Sequence, residues 1–229
     1  MMAAPKVRIL IPPSEGKQPG GDRPSLKDWP EGSEEMLTRL AKVKSAEWEK
    51  LLGVKGKALA QAVAANRKIR TAPTLPAIER YSGVVYAALD YPSLKESEQD
   101  FLNRHIRIVS AVFGLVRPDQ LIPDYKLKID KLGADKLWSV RTAAELEKMY
   151  VIDLLPKAHR KAVAYSSGCA PEFLFVKDGK PKPAGHSGKH IKGRFIRFLA
   201  QQQIADPSEF HKFREDGFRF VDGYFVKNI

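Results

Sequence analysis

The run Ile106-Arg-Ile-Val-Ser-Ala-Val112 constrains the fold more than any other stretch of the chain. It is short, β-branched and largely apolar, which reads as a central strand buried in a sheet. A strand of that kind needs cover on both faces, so helices must pack around it. The flanking sequence supplies them. Residues 96–105 read as a helix leading into the strand, and the polar loop Phe113-Gly-Leu-Val-Arg-Pro-Asp119 follows it. A second strand over residues 7–11 ends at Pro12-Pro13. A third of buried type is expected at 162–166.

Helical patterns lie between and after these strands. Residues 33–50 form one, with Ser33 as N-cap and Met36, Leu37 and Leu40 as its apolar face. The pattern breaks at Gly53 and restarts as a second helix through Arg67, making an αα-hairpin. Further helices are expected over 142–155 and 189–203. Residues 173–182 read as a hairpin turned at Asp178-Gly179, and 217–226 as a strand pair or bent strand. Residues 18–32 form an irregular arm, while 81–89 mix strand and helix signals. Strands and helices interleave, so the class is α/β with mixed α+β character. Residues 1–229 form one domain, with 46–70 as a hairpin subdomain inside it.

Lys and Arg outnumber Asp and Glu by 39 to 27, a net charge of +12 over 229 residues. That excess favours polyanionic partners, nucleic acid or anionic small molecules. Cys169 is the single cysteine, which excludes an intrachain disulfide and fits a reducing compartment. The apolar run near the N-terminus is too short for a secretory core or a membrane span, so a soluble cytoplasmic protein is expected.

Four segments carry candidate chemistry. In Leu51-Leu-Gly-Val-Lys-Gly-Lys57, glycines in a tight inter-helix turn expose backbone N–H groups at the positive end of the second helix. Gly53, Lys55, Gly56 and Lys57, with Arg67 and Lys68 beyond, then suit a duplex backbone. The same pattern also describes a solvated hairpin with a glycine C-cap. In Pro12-Pro-Ser-Glu-Gly-Lys17, Lys17 suits an anion, and Ser14 and Glu15 suit hydrogen bonding or proton transfer. The Gly-x4-Gly-Lys-Ser/Thr pattern of a Walker loop is absent. The loop after residue 112 brings Arg117, Asp119, Tyr125 and Lys126, with Arg117 suited to bidentate anion recognition or to pairing with a carboxylate. The basic helix presents Lys189 and Lys192 on one face, alternatively a solvated surface. His186 and His190 lack a third ligand, so no metal is assigned. Cys169 reads as a buried inert thiol, alternatively as a nucleophile or redox sensor where its thiolate is stabilised.

Together these segments resemble the YaaA family of peroxide-stress-response proteins. The anchors are Ile11-Pro-Pro-Ser-Glu-Gly-Lys17, Gly83-x-x-Tyr86-x-x-Leu89 and Ser110-x-x-Phe113-Gly114-x-x-Arg117-Pro118. Pro123-x-Tyr125-Lys126-Leu127, Lys189-x-x-Lys192-Gly193 with Arg197, and Gly217-Phe218-x-Phe220 complete the series. The family usually carries Tyr where Phe113 stands and Arg where Lys126 and Lys192 stand. The resemblance implies a family-specific mixed-sheet fold surrounded by helices, with a helix-hairpin-helix insert and a basic cleft. It also implies binding of double-stranded DNA and a role in limiting oxidative DNA damage by lowering free intracellular iron.

Two functions follow as expectations. One is a duplex DNA-binding protein of the peroxide response, largely without sequence preference. The other is an enzyme acting on a nucleotide, a modified nucleobase or another anionic small molecule. In the second, Lys17, Arg117 and Lys192 hold the anion, Glu15 carries the proton, and Ser14, Tyr125, Lys126, Lys189 and Arg197 line the same cleft. No cofactor is named by either.

Overall fold

The computed structural model describes residues 6–229. The chain opens with β1 (Lys6–Ile11), whose inner half is fully buried, and then runs through the irregular arm. α1 (Ser33–Ala41) follows, capped by Gly32 in the left-handed region, so Ser33 is the first helical residue and not the cap. The helix expected over 33–50 is interrupted at Lys42 and resumes through a 3-10 turn as α2 (Trp48–Leu52). Gly53 at φ 66° ends it, and α3 (Gly56–Lys68) completes the pair.

β2 (Thr74–Pro76), α4 (Ala77–Arg80) and α5 (Val84–Leu89) come next, which assigns most of the mixed segment 81–89 to helix. α6 (Glu96–His105) leads directly into β3 (Ile106–Ser110), every residue of which is buried. The chain then doubles back as β4 (Gly114–Val116) and continues to β5 (Leu121–Pro123). The loop expected after β3 therefore contains a strand.

α7 (Ala134–Leu146) precedes β6 (Met149–Asp153). The expectation of helix over 142–155 is corrected here: the polar, helix-favouring half stays helical, and Met-Tyr-Val-Ile-Asp enters the sheet. The strand expected at 162–166 is also corrected. After α8 (Lys157–Arg160) that stretch is irregular, and pairing resumes at β7 (Gly168–Cys169). β8 (Glu172–Lys177) and β9 (Lys180–Pro183) form the expected hairpin. α9 (Gly185–Gln202), β10 (Arg214–Glu215), β11 (Phe218–Val221) and β12 (Tyr224–Asn228) finish the chain.

The first sheet has the order β4-β3-β1-β6-β7. β1 runs parallel to both β3 and β6, while β4 is antiparallel to β3. The second has the order β10-β11-β12-β8-β9, with only β12 and β8 parallel. α9 joins them. Its Ile191, Phe195 and Leu199 recur at helical spacing and are buried. Phe195 packs against Phe173, Phe210, Phe213 and Phe225 at centroid distances of 6.2, 5.0, 5.2 and 4.5 Å. Elsewhere on α9, Gly193 lies on α5. A Cβ there would meet the Ala88 Cβ at 2.7 Å and the Val85 carbonyl. That close approach sets where the lysines of α9 stand.

Candidate functional site

β1 neighbours β3 on one side and β6 on the other, so the strand order reverses at β1. In sheets of this kind ligands bind at the carboxyl ends of strands beside such a reversal. A cavity of about 470 Å³ occupies that position. Pro12, Pro13, Ser14 and Glu15 enter it from the end of β1, and Pro156 and His159 from beyond β6. Ser82, Gly83, Val84, Val85 and Tyr86 form the α5 side, and Lys189 and Lys192 the α9 side. Backbone bonds set its floor: Leu154 N–H donates to Leu10 O at 3.0 Å, and Ser82 N–H to Gly16 O at 3.0 Å. The Tyr86 hydroxyl donates to Pro12 O at 2.8 Å. A larger apolar hollow of about 770 Å³ lies between Pro30 and α7, with no lysine in its walls.

Lys17 sits behind the β1 loop. Its ammonium donates to Ser14 O at 3.1 Å and lies 4.3 Å from the centre of the Tyr125 ring and 5.3 Å from that of Tyr81. Burial lowers its pKa to about 8, against the opposing pull of Asp124. The ring faces supply part of the stabilisation that water would otherwise give the charge. Tyr125 is fully buried, and its hydroxyl joins those of Tyr81 at 2.8 Å and Ser110 at 2.9 Å. Burial raises the Tyr125 phenol to about 12.

Lys192 is half-buried in the cavity wall and donates to the Leu154 carbonyl. Burial lowers its pKa to about 8, Asp153 opposing and Arg160 assisting. Asp153 is completely buried. It accepts from Leu155 N–H at 2.7 Å and from the Tyr165 hydroxyl at 3.1 Å, and Arg160 Nε lies 3.1 Å from the oxygen that Tyr165 bonds. His159 is partly buried, its Nδ1 has no hydrogen-bond partner, and burial lowers its pKa.

Of the residues expected in one cleft, Ser14, Glu15, Lys189 and Lys192 line the cavity. Lys126 reaches its rim, with Nζ 3.9 Å from Glu15. Lys17 and Tyr125 stand behind it as a packed support. Arg117 is elsewhere. Because β4 runs antiparallel to β3, with Val116 opposite Ile108, the chain carries Arg117 back toward the amino end of β3. There it pairs bidentately with Asp119 at 2.9 and 2.8 Å. Arg197 also lies outside the cavity. It donates to Leu89 O and Asp90 O, both at 2.9 Å, and so caps the carboxyl end of α5. Of Lys17, Arg117 and Lys192, expected to converge, only Lys192 lines the cavity, with Lys17 behind it and Arg117 elsewhere, and the cleft role expected of Arg197 becomes a helix cap.

Of the residues expected on a duplex backbone, Gly53 to Lys57 form the α2–α3 turn, whereas Arg67 and Lys68 lie at the other end of α3. Gly53, Lys55, Gly56, Lys57, Arg67 and Lys68 are all exposed, with Lys55 Nζ 3.2 Å from Glu49. α3 is tied to the body by Asn66, whose side-chain amide bonds both the N–H and the C=O of Lys126 at 2.8 Å. Two residues further on, Lys128 Nζ lies 3.2 Å from Glu15 Oε1 at the cavity. It is also 4.0 Å from the point where a Cβ on Gly53 would stand. The turn and the cavity mouth are thus neighbours, bridged by Lys128.

The family profile described as peroxide stress protein YaaA matches residues 7–223, which takes in the first sheet from Val7, the cavity between β1, β6, α5 and α9, and the second sheet as far as β11. The chain belongs to the YaaA family of peroxide stress proteins. Similar relatives include a UPF0246 protein of Corynebacterium efficiens, 35% identical over 84% of this chain and 84% of the relative. A UPF0246 protein of Corynebacterium glutamicum strain R is 31% identical over the same shares. One of Polynucleobacter necessarius is 26% identical over 86% of this chain and 85% of the relative.

Four residues of this YaaA-family site escape sequence reasoning: Lys128, Asn66, Asp153 and His159. Lys128 had a signal, since Lys126-Leu127-Lys128 alternates charge with a buried residue. Asp153 was hidden by the mistaken helix, and His159 by the absence of any motif around it. Among the described residues no group of three or more His, Cys, Asp or Glu is arranged to hold a metal ion, and no helix is long and apolar enough to cross a membrane. Cys169 is partly buried, with burial raising its thiol pKa, which suits an unreactive thiol.

Proposed function

We propose that this member of the peroxide stress family binds duplex DNA across the α2–α3 turn, largely without sequence preference. In this reading the neighbouring cavity receives a phosphate-bearing portion of the bound molecule. The observation that carries it is Lys128, whose ammonium pairs with the cavity residue Glu15 at 3.2 Å and lies 4.0 Å from where a Cβ on Gly53 would stand. Exposed Lys55 and Lys57 flank the turn, Arg67 and Lys68 stand exposed at the far end of α3, and the chain carries a net charge of +12. Such contacts read phosphates and not bases, so affinity falls steeply with salt.

A gel shift of a random-sequence duplex over a salt series tests this. The double variant Lys55→Glu, Lys57→Glu is expected to lose retention. Lys128→Ala is expected to weaken it and to lower the slope of log K against log salt by about 0.9 for each phosphate no longer neutralised. Unchanged binding in the double variant removes the turn from the function.

The half-buried Lys192 favours a second reading, in which the cavity binds a nucleotide or other anionic small molecule by itself. Its test is calorimetry with nucleoside monophosphates, where binding that survives the Lys55/Lys57 changes and disappears in Lys192→Met supports an independent small-molecule site.

A further inference from the structure

The two cavity lysines differ in their surroundings. Lys189 is exposed at the rim, while Lys192 is half-buried. Among the described residues, its one hydrogen-bond acceptor is the Leu154 carbonyl. One N–H is thereby oriented and the nitrogen lone pair of the neutral amine is left for another partner. The wall beside it is apolar, built of Pro12, Pro13, Val84, Val85 and Pro156. Asp153 and Glu172 bring negative charge near it and Arg160 and Lys189 positive charge, with desolvation outweighing all four. A lysine desolvated against apolar surface beside other cations is the setting in which the neutral, nucleophilic amine becomes accessible near neutral pH. Lys17 shares the lowered basicity but not the setting. It is absent from the cavity lining, and its stacking over Tyr125 favours the ammonium.

We propose that Lys192 condenses with the aldehyde of a phosphate-bearing sugar held in this cavity. The inference rests on reading the cavity as a site for phosphate-bearing molecules. The Lys192 nitrogen lone pair forms a bond to the aldehyde carbon, and the carbonyl π pair moves to oxygen. Nitrogen gives up a proton and oxygen takes one, yielding a carbinolamine. The nitrogen lone pair then forms a double bond to carbon, nitrogen gives up its second proton, and the hydroxyl takes one and leaves as water. One amine and one aldehyde give one imine and one water, with nothing oxidised or reduced. His159, in the same cavity with its Nδ1 unpartnered, relays the proton from nitrogen to the departing oxygen, burial lowering its pKa. Lys189 at the rim holds the phosphate.

This aldehyde chemistry has two sources, the sugar of a base-less position in a DNA strand and the open-chain form of a free sugar phosphate. The full chain is incubated with sodium cyanoborohydride and, in separate arms, a duplex carrying one abasic site, ribose 5-phosphate, or an intact duplex. The reductant converts the imine into a stable secondary amine that peptide mass mapping locates. The expected result is a single adduct on the Lys192 peptide in one or both aldehyde arms and none with intact duplex. Lys192→Arg keeps the charge and is expected to abolish the adduct. Should that variant not fold, mapping on the unaltered chain decides. Adducts spread over exposed lysines, an adduct confined to Lys17 or Lys189, or no adduct overturns the proposal. A gel shift of the abasic duplex without reductant separates the two readings. Binding without trapping defeats the imine and leaves duplex binding standing. Trapping of ribose 5-phosphate at Lys192 without duplex binding does the reverse.

Discussion

The hydroxyls of Tyr81 and Tyr125 meet at 2.8 Å in the interior, and neither residue has more than 2% of its surface exposed. The Tyr125 hydroxyl also bonds Ser110, whose Oγ accepts from the backbone N–H groups of Val112 and Phe113 at 3.2 and 3.0 Å. Three chain segments far apart in sequence are locked by one satisfied polar chain, and the rings carry the Lys17 ammonium on their faces.

Tyr125→Phe removes the central hydroxyl and leaves Tyr81 short of a partner in a dry site. A stability loss of about 1–3 kcal/mol is expected, since a buried polar group left unpaired costs that much. Urea unfolding checks it, with the midpoint falling and the slope unchanged. A midpoint equal to that of the parent would mean the network contributes nothing.

Gly193→Ala forces a methyl into the backbone of α5 at Val85 and Leu89. Overpacking of this kind costs about 1–3 kcal/mol. Because Lys189 and Lys192 ride on the same helix, ligand binding in the cavity is expected to fall along with thermal stability. Parallel melting and binding measurements on the variant decide the matter; an unaltered melting temperature contradicts the packing seen here.

Asp153→Ala leaves Arg160 beside an empty buried position and strips the bonds to Leu155 N–H and Tyr165. Arg160 is partly exposed and keeps Glu172 at 3.3 Å, so the loss comes mainly from the Leu155 N–H and Tyr165 hydroxyl left unpaired, about 1–3 kcal/mol for each. Replacing both Asp153 and Arg160 by apolar residues is expected to recover part of that loss. A double-mutant cycle measures the coupling, and additive losses would deny it.

Stability should change with pH in a defined sense. Lys17 and Lys192 titrate near 8 when folded against 10.5 when unfolded, so between those values the unfolded chain binds more protons. Stability therefore rises with pH through that window. The lowered His105 and His159 act likewise at lower pH, around the ordinary histidine value of 6.5. Tyr81, Tyr86 and Tyr125 are raised, so their contribution is lost above about pH 10 as the unfolded chain ionises first. Unfolding free energies from pH 6 to 11 are expected to pass through a maximum on the alkaline side of neutrality. A steady decline from pH 8 to 10 would contradict the burial of the two lysines.

Features that depend on neighbours in the chain could be read from the order of residues. Strands β1 and β3, the break at Gly53, the β8–β9 hairpin and the basic helix were legible because periodicity, glycine and proline act over a few residues. So was the grouping of Ser14, Glu15, Lys189 and Lys192, through family motifs. Tertiary structure decided the rest. Helical residues 142–146 run toward Met149–Asp153 with no local stop signal, and only the vacant edge of β1 makes that segment a strand. Arg117 follows a strand end, as a ligand-binding residue would, but the reversal into β4 turns it toward Asp119. The lowered basicity of Lys192 comes from walls contributed by β1, β6 and α5, and no pattern local to α9 encodes such long-range desolvation.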